Sequence, residues 1–364
     1  MKKYAHIIIV WFALLFCGGC SHDAVLEMSG SEAMLVNLNI SVALSDISQA
    51  GTRANDTYPT PPINDNEKIQ SLRIIVVRNP DTDNIVEQNR IYNLQSEPST
   101  DYYIEKMKVV SNEKKRIYLL VNEGAEMTTS GFPAKRKLVN YDFSKIQLGS
   151  PFPTGVISDL SIQLNDNTEK IDGLLPMSEC HTIDVKNEDY ECKLFVTRVT
   201  TKFTFNVTNK SGQPLNITQL SIDKMAQKEY FLPRNAIYTE KETEDGKTYK
   251  DITSFDVPTN TGYYTYDASA LFKGQLPIGG TKTNDDRPIY LLEGKHKDDK
   301  NRDNPYLLTL GINGTELKSY LPNLPHLPRN THVVVNVTIN EQDIDCVVDV
   351  RPYTEIELEP DFGL

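Results

Sequence analysis

One pattern limits what this chain can become: apolar residues standing on every second position. Val36, Leu38, Ile40, Val42 and Leu44 alternate with Asn37, Asn39, Ser41 and Ala43, the period of two that a strand buried on one face requires. The alternation returns at Ile117-Leu119-Val121, at Tyr306-Leu308-Leu310-Ile312, at Val333-Val335-Val337-Ile339 and at Ile344-Cys346-Val348-Val350. Ile69 to Val77 is more densely apolar, which predicts a strand covered on both faces. From Lys193 to Val207 the parity changes, apolar positions falling on Leu194 and Val196 and then on Phe203, Phe205 and Val207. That change predicts a bulge or a strand switch near Thr200 and Thr201. Turn signals separate the runs, among them Asn79-Pro80-Asp81, Lys210-Ser211-Gly212 and Asn313-Gly314. No long segment carries a helical stripe, so the expected class is mainly β, with two sandwiches and only short helices.

The first twenty residues read as an export address. Met1-Lys2-Lys3 is a short positive region and Ile7 to Phe16 an uninterrupted apolar one, the order of a signal peptide. At roughly ten residues the apolar run is about half of the ~20 that a membrane-crossing helix needs. Cys17-Gly18-Gly19-Cys20 follows, and small residues directly before a cysteine resemble a bacterial lipobox. Residues 1–19 are thus expected to be removed and Cys20 to carry covalent lipid. Two or three acyl chains, at ~0.8 kcal/mol per buried methylene, make such an anchor durable.

A processed chain of about 345 residues exceeds one ordinary core and suggests two domains. We place the change-over at Leu175-Pro176, after a loop-rich passage (Ser150 to Pro153, Asn165 to Gly173), giving domains at 54–175 and 176–364. A formal charge of −12 argues against nucleic acid as a partner. Beyond Cys17 and Cys20 there remain Cys180, Cys192 and Cys346; the first two can pair across a hairpin, or all three can stay as buried thiols.

Chemistry-bearing motifs are scarce. His22, His181, His296, His326 and His332 are scattered, without HExxH or paired-cysteine zinc spacing, and no GxSxG elbow or phosphate loop occurs. Asp81, Asp83 and Asn84 fall short of a calcium loop because Ile85 and Val86 stand where further ligands belong. Lys295 to Asp303 reads as a solvated loop of mixed charge. The expectation is a protein that is not an enzyme, with no metal and no cofactor other than the lipid on Cys20.

Gln49 to Asn66 is different. Gly51, Pro59, Pro61 and Pro62 among small polar residues make an exposed loop that resists regular structure. At its centre Arg53-Ala54 offers an extended, accessible basic residue, the requirement of an Arg-specific protease.

The order of these pieces carries a resemblance. A lipobox, an alternating strand, the Gly51-Thr52-Arg53-Ala54 loop, the strands Glu67 to Val77, Arg116 to Gly124 and Thr197 to Asn209 are similar, in that sequence, to the fimbrillins of Bacteroidales, subunits of type V pili. Leu291-Leu292-Glu293-Gly294, Leu327 to Ile339 and the ending Val350 to Leu364 continue it across the mature chain. Arg351-Pro352-Tyr353 departs from the pattern, since many members carry a Pro-Trp pair there. The resemblance implies two transthyretin-like or Greek-key sandwiches in tandem, and an outer-membrane lipoprotein precursor whose residues 20–53, with the first strand, are cut off after Arg53. It implies polymerisation by strand exchange with other fimbrial subunits at the cell surface. Removal of Val36, Leu38, Ile40, Val42 and Leu44 then opens a groove, and Ile344, Cys346, Val348, Val350, Ile356 and Leu358 are candidates for the replacing strand. A stalk, tip or anchor role fits these features. A second class, a β-sandwich lipoprotein binding surface carbohydrate, would have to rely on Tyr, because the single Trp, Trp11, lies in the signal.

Overall fold

A computed structural model describes residues 34–44, 64–129, 132–165, 169–235, 237–242, 248–295, 305–341 and 343–352. Cys20, Arg53, Ala54, Ile356 and Leu358 lie outside them. The described chain is mainly β; its α-helices, Thr154–Ser158 and Ser269–Phe272, are a turn or so each, and among the described residues no helix is long and apolar enough to cross a membrane.

Seven strands build the first sheet: β1 (Leu35–Leu44), β2 (Ser71–Arg78), β3 (Ile85–Asn93), β4 (Asp101–Val110), β5 (Glu113–Val121), β6 (Met177–Val185) and β7 (Tyr190–Arg198), in the order β3-β2-β5-β6-β7-β1-β4. Sequence order and spatial order part company at β1, which sits between β7, parallel to it, and β4, antiparallel. β2 is buried along both faces, as its dense apolar run requires. On one of them Tyr118, opposite Ile75 on β5, stacks on Phe152 with centroids 4.4 Å apart. The same crossing segment bonds to β3 through Val86 N–H to Ser150 O and Gly149 N–H to Val86 O, and Asn84 donates to Phe152 O. The first residues of that edge are therefore covered, which limits stray pairing there.

Ten of the strands that follow build two further sheets: β8 (Thr200–Asn209), β9 (Leu215–Ala226), β10 (Tyr263–Asp267), β11 (Gly274–Leu276), β12 (Thr281–Thr283), β13 (Ile289–Leu292), β14 (Leu307–Ile312), β15 (Thr315–Tyr320), β16 (Thr331–Ile339) and β17 (Ile344–Pro352). One sheet runs β12-β8-β16-β17 with β13 also on β8; another runs β10-β9-β14-β15 with β11 also on β9. Phe203 and Phe205 of β8, Leu220 and Ile222 of β9, Leu308 and Leu310 of β14 and Val333 and Val335 of β16 are fully buried together.

The parity change predicted near Thr200 is a strand switch. Val199 separates β7 in the first sheet from β8 in the second. Leu175-Pro176, by contrast, precedes β6 and β7, which pair inside the first sheet, so sheet membership changes at Val199 and not there.

Charged groups bind this junction. The Arg198 guanidinium donates to Glu67 O at 2.8 and 3.2 Å and to Asn330 Oδ1 at 3.0 Å, while Lys202 Nζ and Tyr290 OH reach Glu67 Oε1 at 2.9 and 2.6 Å, all buried. A second buried cluster holds Lys295 Nζ 2.9 Å from Glu229 Oε1 and 3.4 Å from Glu293 Oε2, with Arg329 Nε 3.0 Å from Glu293 Oε2. Lys295 is therefore an interior residue and not the start of a solvated loop. A charge pattern counts ions but cannot see that Glu229, sixty-odd positions earlier, meets it.

Candidate assembly strands

The five apolar residues of β1 all point inward. Val36, Leu38, Ile40, Val42 and Leu44 are each less than 5 % exposed, while the intervening residues face partly to solvent. At ~1.5–3 kcal/mol per side chain their burial is worth a gross ~7–15 kcal/mol before ordering costs. Both backbone edges are bonded as well, through registers Leu38–Tyr190 to Leu44–Val196 on β7 and Leu35–Val110 to Ala43–Asp101 on β4. Among the described strands β4 pairs with β1 alone. Taking β1 away would thus leave two unpaired edges, each with N–H and C=O groups that need partners.

Polar contacts on the outer side fix the register, and sequence reasoning did not find them. Asp189, at the start of β7, accepts from the Asn37 backbone N–H at 2.8 Å and from its side-chain amide at 2.7 Å. Those two bonds, the side-chain one first, hold the Asp189 carboxyl below the usual carboxylate range. Lys106 has φ +57° and sits where the β1–β4 register slips between Leu38 and Ile40. Its N–H, turned out of the ladder by this bulge, donates to Asn39 Oδ1 at 2.8 Å. At the far end Met34 N–H donates to Ser111 Oγ at 2.9 Å. Nothing in the spacing of Asn37 and Asn39 marks them out; only the outward parity was a signal.

β17 presents the same alternation in another setting. It pairs antiparallel with β16 of its own chain, from Ile339–Ile344 to Thr331–Pro352, and forms one end of its sheet. Ile344 is buried, Cys346 and Val348 pack half-buried against the core, and Val347 on the other face is 48 % exposed. Val350 lies opposite Val333 in this ladder. The structure thus places the apolar residues of β1 and those of β17 in different sheets and does not bring them together.

The three cysteines among the described residues are free, Cys180 exposed, Cys192 buried and Cys346 half-buried. Cys192 lies opposite Ile40 and its thiol is 3.7 Å from Asn39 O; burial, then Glu191, pushes it up to about 12, so it packs under β1 as an inert group. No group of His, Cys, Asp and Glu among the described residues has metal-ligand geometry. A pocket of about 190 Å³ lined by Glu123, Lys137, Asn140, Tyr141 and Phe143 is below the ~300 Å³ at which ligand sites usually begin.

No family model matches the sequence, and no curated protein does. Solved structures do match its fold. A "putative cell adhesion protein" of Parabacteroides distasonis superposes with a TM-score of 0.51 at 15% identity, covering 87% of this chain and 97% of that one. The tip fimbrial protein Mfa3 of Porphyromonas gingivalis, with C-terminal truncation, gives 0.51 at 10% identity, with coverage of 88% and 100%. The chain shares the β-sandwich fold of fimbrial and adhesion proteins of Bacteroidales, in keeping with the resemblance to fimbrillins.

Proposed function

We propose that this chain is a structural subunit of a cell-surface fimbria, exported as a lipoprotein on Cys20, cut after Arg53 and joined to its neighbours by replacement of β1. The observation that carries the reading is the position of β1. It is a mid-sheet strand with five buried apolar side chains, and it precedes the Pro-rich segment that holds Arg53. A strand in that place is needed for the sheet, yet one cut would free it from the rest of the chain. The vacated slot then takes a strand from another subunit by main-chain pairing plus apolar pockets. Donation by Ile344, Cys346, Val348 and Val350 would require β17 to leave β16, whereas Ile356 and Leu358 follow it in the sequence. Stalk and tip roles need the cut; an anchor would keep β1 and the lipid.

N-terminal sequencing of protein sheared from cells tests the reading. A start at Ala54 supports it, and a start at Cys20 would leave an anchor or a lipoprotein that does not polymerise. Equal fatty-acid labelling of the wild type and Cys20→Ser would remove the lipoprotein step.

A further inference from the structure

The β1 slot demands more of its occupant than alternating apolar residues. At position 37 it presents the Asp189 carboxylate, which accepts two bonds from Asn37. Any non-proline residue supplies the backbone N–H, but the second bond needs a side chain that donates. At position 39 the slot presents the Lys106 N–H, which needs an acceptor. Asn satisfies either demand. A carboxylate at position 37 would forfeit a charge-assisted bond and place a like charge against Asp189. Lys108, across β4 at this register and exposed, can offset only one of two such acids.

The chain's own ending has the wrong chemistry for this position. β17 pairs with β16 as far as Pro352, and the twelve residues Tyr353 to Leu364 follow it in the sequence. In that stretch Ile356 and Leu358 alternate with Glu355, Glu357 and Glu359. Seating Ile356 or Leu358 in the pocket of Val36 or Leu38 puts one of these glutamates opposite Asp189, whichever way the strand runs. Ile356 and Leu358 would fill two of the pockets, and the polar contact would be repulsive.

Resting on the strand-replacement reading above, we propose that the β1 slot selects a strand of a different protein and disfavours the acidic tail of a second copy of this chain. The selected strand is apolar at alternate positions and carries an amide, hydroxyl or basic side chain opposite Asp189. Specificity here comes from an unfavourable pairing as much as from a favourable one.

The experiment uses the full chain, nicked after Arg53 by brief Arg-specific proteolysis, and fluorescent peptides that compete with the resident β1. The Met34–Leu44 peptide should bind, its Asn37→Glu form about tenfold more weakly, and Asp189→Lys in the protein should reverse that order. A peptide of Tyr353–Leu364 should bind at least about tenfold more weakly than Met34–Leu44. Equal binding of the Met34–Leu44 peptide and its Asn37→Glu form overturns the selecting role of Asp189. Equal binding of the tail peptide overturns the assignment to a different protein and makes the assembly self-complementary. If the Met34–Leu44 peptide itself does not bind, strand replacement fails. The role of Asp189 is then decided in the intact chain, where Asn37→Glu should lower the melting midpoint and Asp189→Lys should restore it; no change in either refutes it.

Discussion

β1 and β17 carry the same sequence pattern and occupy opposite positions in the architecture. β1 has a neighbour on each side and buries all five of its apolar residues; β17 has one bonded neighbour among the described strands, and its Cys346 and Val348 are buried only in part. Alternation reports that one face is covered, whatever covers it, and is silent on how many edges are bonded. The strand proposed to leave is thus the better-held one. A covalent cut, and not weak packing, has to release it.

The largest expected effect follows from putting a charge under each strand. Ile40→Asp should prevent the precursor from folding, because an unpaired carboxylate in that sheet costs several kcal/mol, whereas Val348→Asp, half-buried at an edge, should leave folded protein with a lowered melting midpoint. Circular dichroism melts decide it, and equal losses at the two sites would erase the distinction. Truncation gives a finer scale. Ile40→Ala is expected to cost about 3–4 kcal/mol by urea unfolding and Val348→Ala about 1 kcal/mol, the latter leaving a smaller cavity that solvent relieves. Without any mutation, hydrogen exchange should protect the amides of β1 from both neighbours, while those β17 amides that point away from β16 exchange first. Uniform protection along β17 would mean that its second edge is covered.

The smallest effect is a pH dependence at Asp189. Its folded pKa is depressed, so the contribution to holding β1 is present above the unfolded value of about 3.9 and is lost as pH falls through the folded value. Release of β1 from nicked protein should quicken on acidification below about pH 4, and Asp189→Asn should remove that part of the dependence.

Much of the fold could be read from the chain because the pleat writes itself into the sequence at period two. The inward set of β1 followed from parity, the double cover of β2 from its apolar density, and the break after β7, expected as a bulge or a switch, from the change of parity. What stayed hidden was anything resting on a partner far away in the sequence. Glu67 and Lys202, or Glu229 and Lys295, look like solvated charges until the fold sets them within 2.9 Å of each other. Asp189 stands in Lys186-Asn187-Glu188-Asp189, which has the composition of a turn and no mark of its bond to Asn37. The sheet assignment of β6 and β7 was hidden for the same reason: a loop-rich passage before them resembles a boundary, and only pairing with β5 shows that the first sheet continues.

The parallel seating of β1 on β7 also sets a timetable. Asn37 and Asp189 are 152 residues apart in the chain, so a chain synthesised from its N-terminus delivers β1 long before the β7 edge that receives it. Until β7 has emerged β1 can pair only with β4, and closing so long a loop adds its own entropic delay. The parallel edge of β1 is then among the last parts of the first sheet to close. The edge of β7 is complete before β1 is seated on it, and it is on such an edge that the proposed substitute strand would pair.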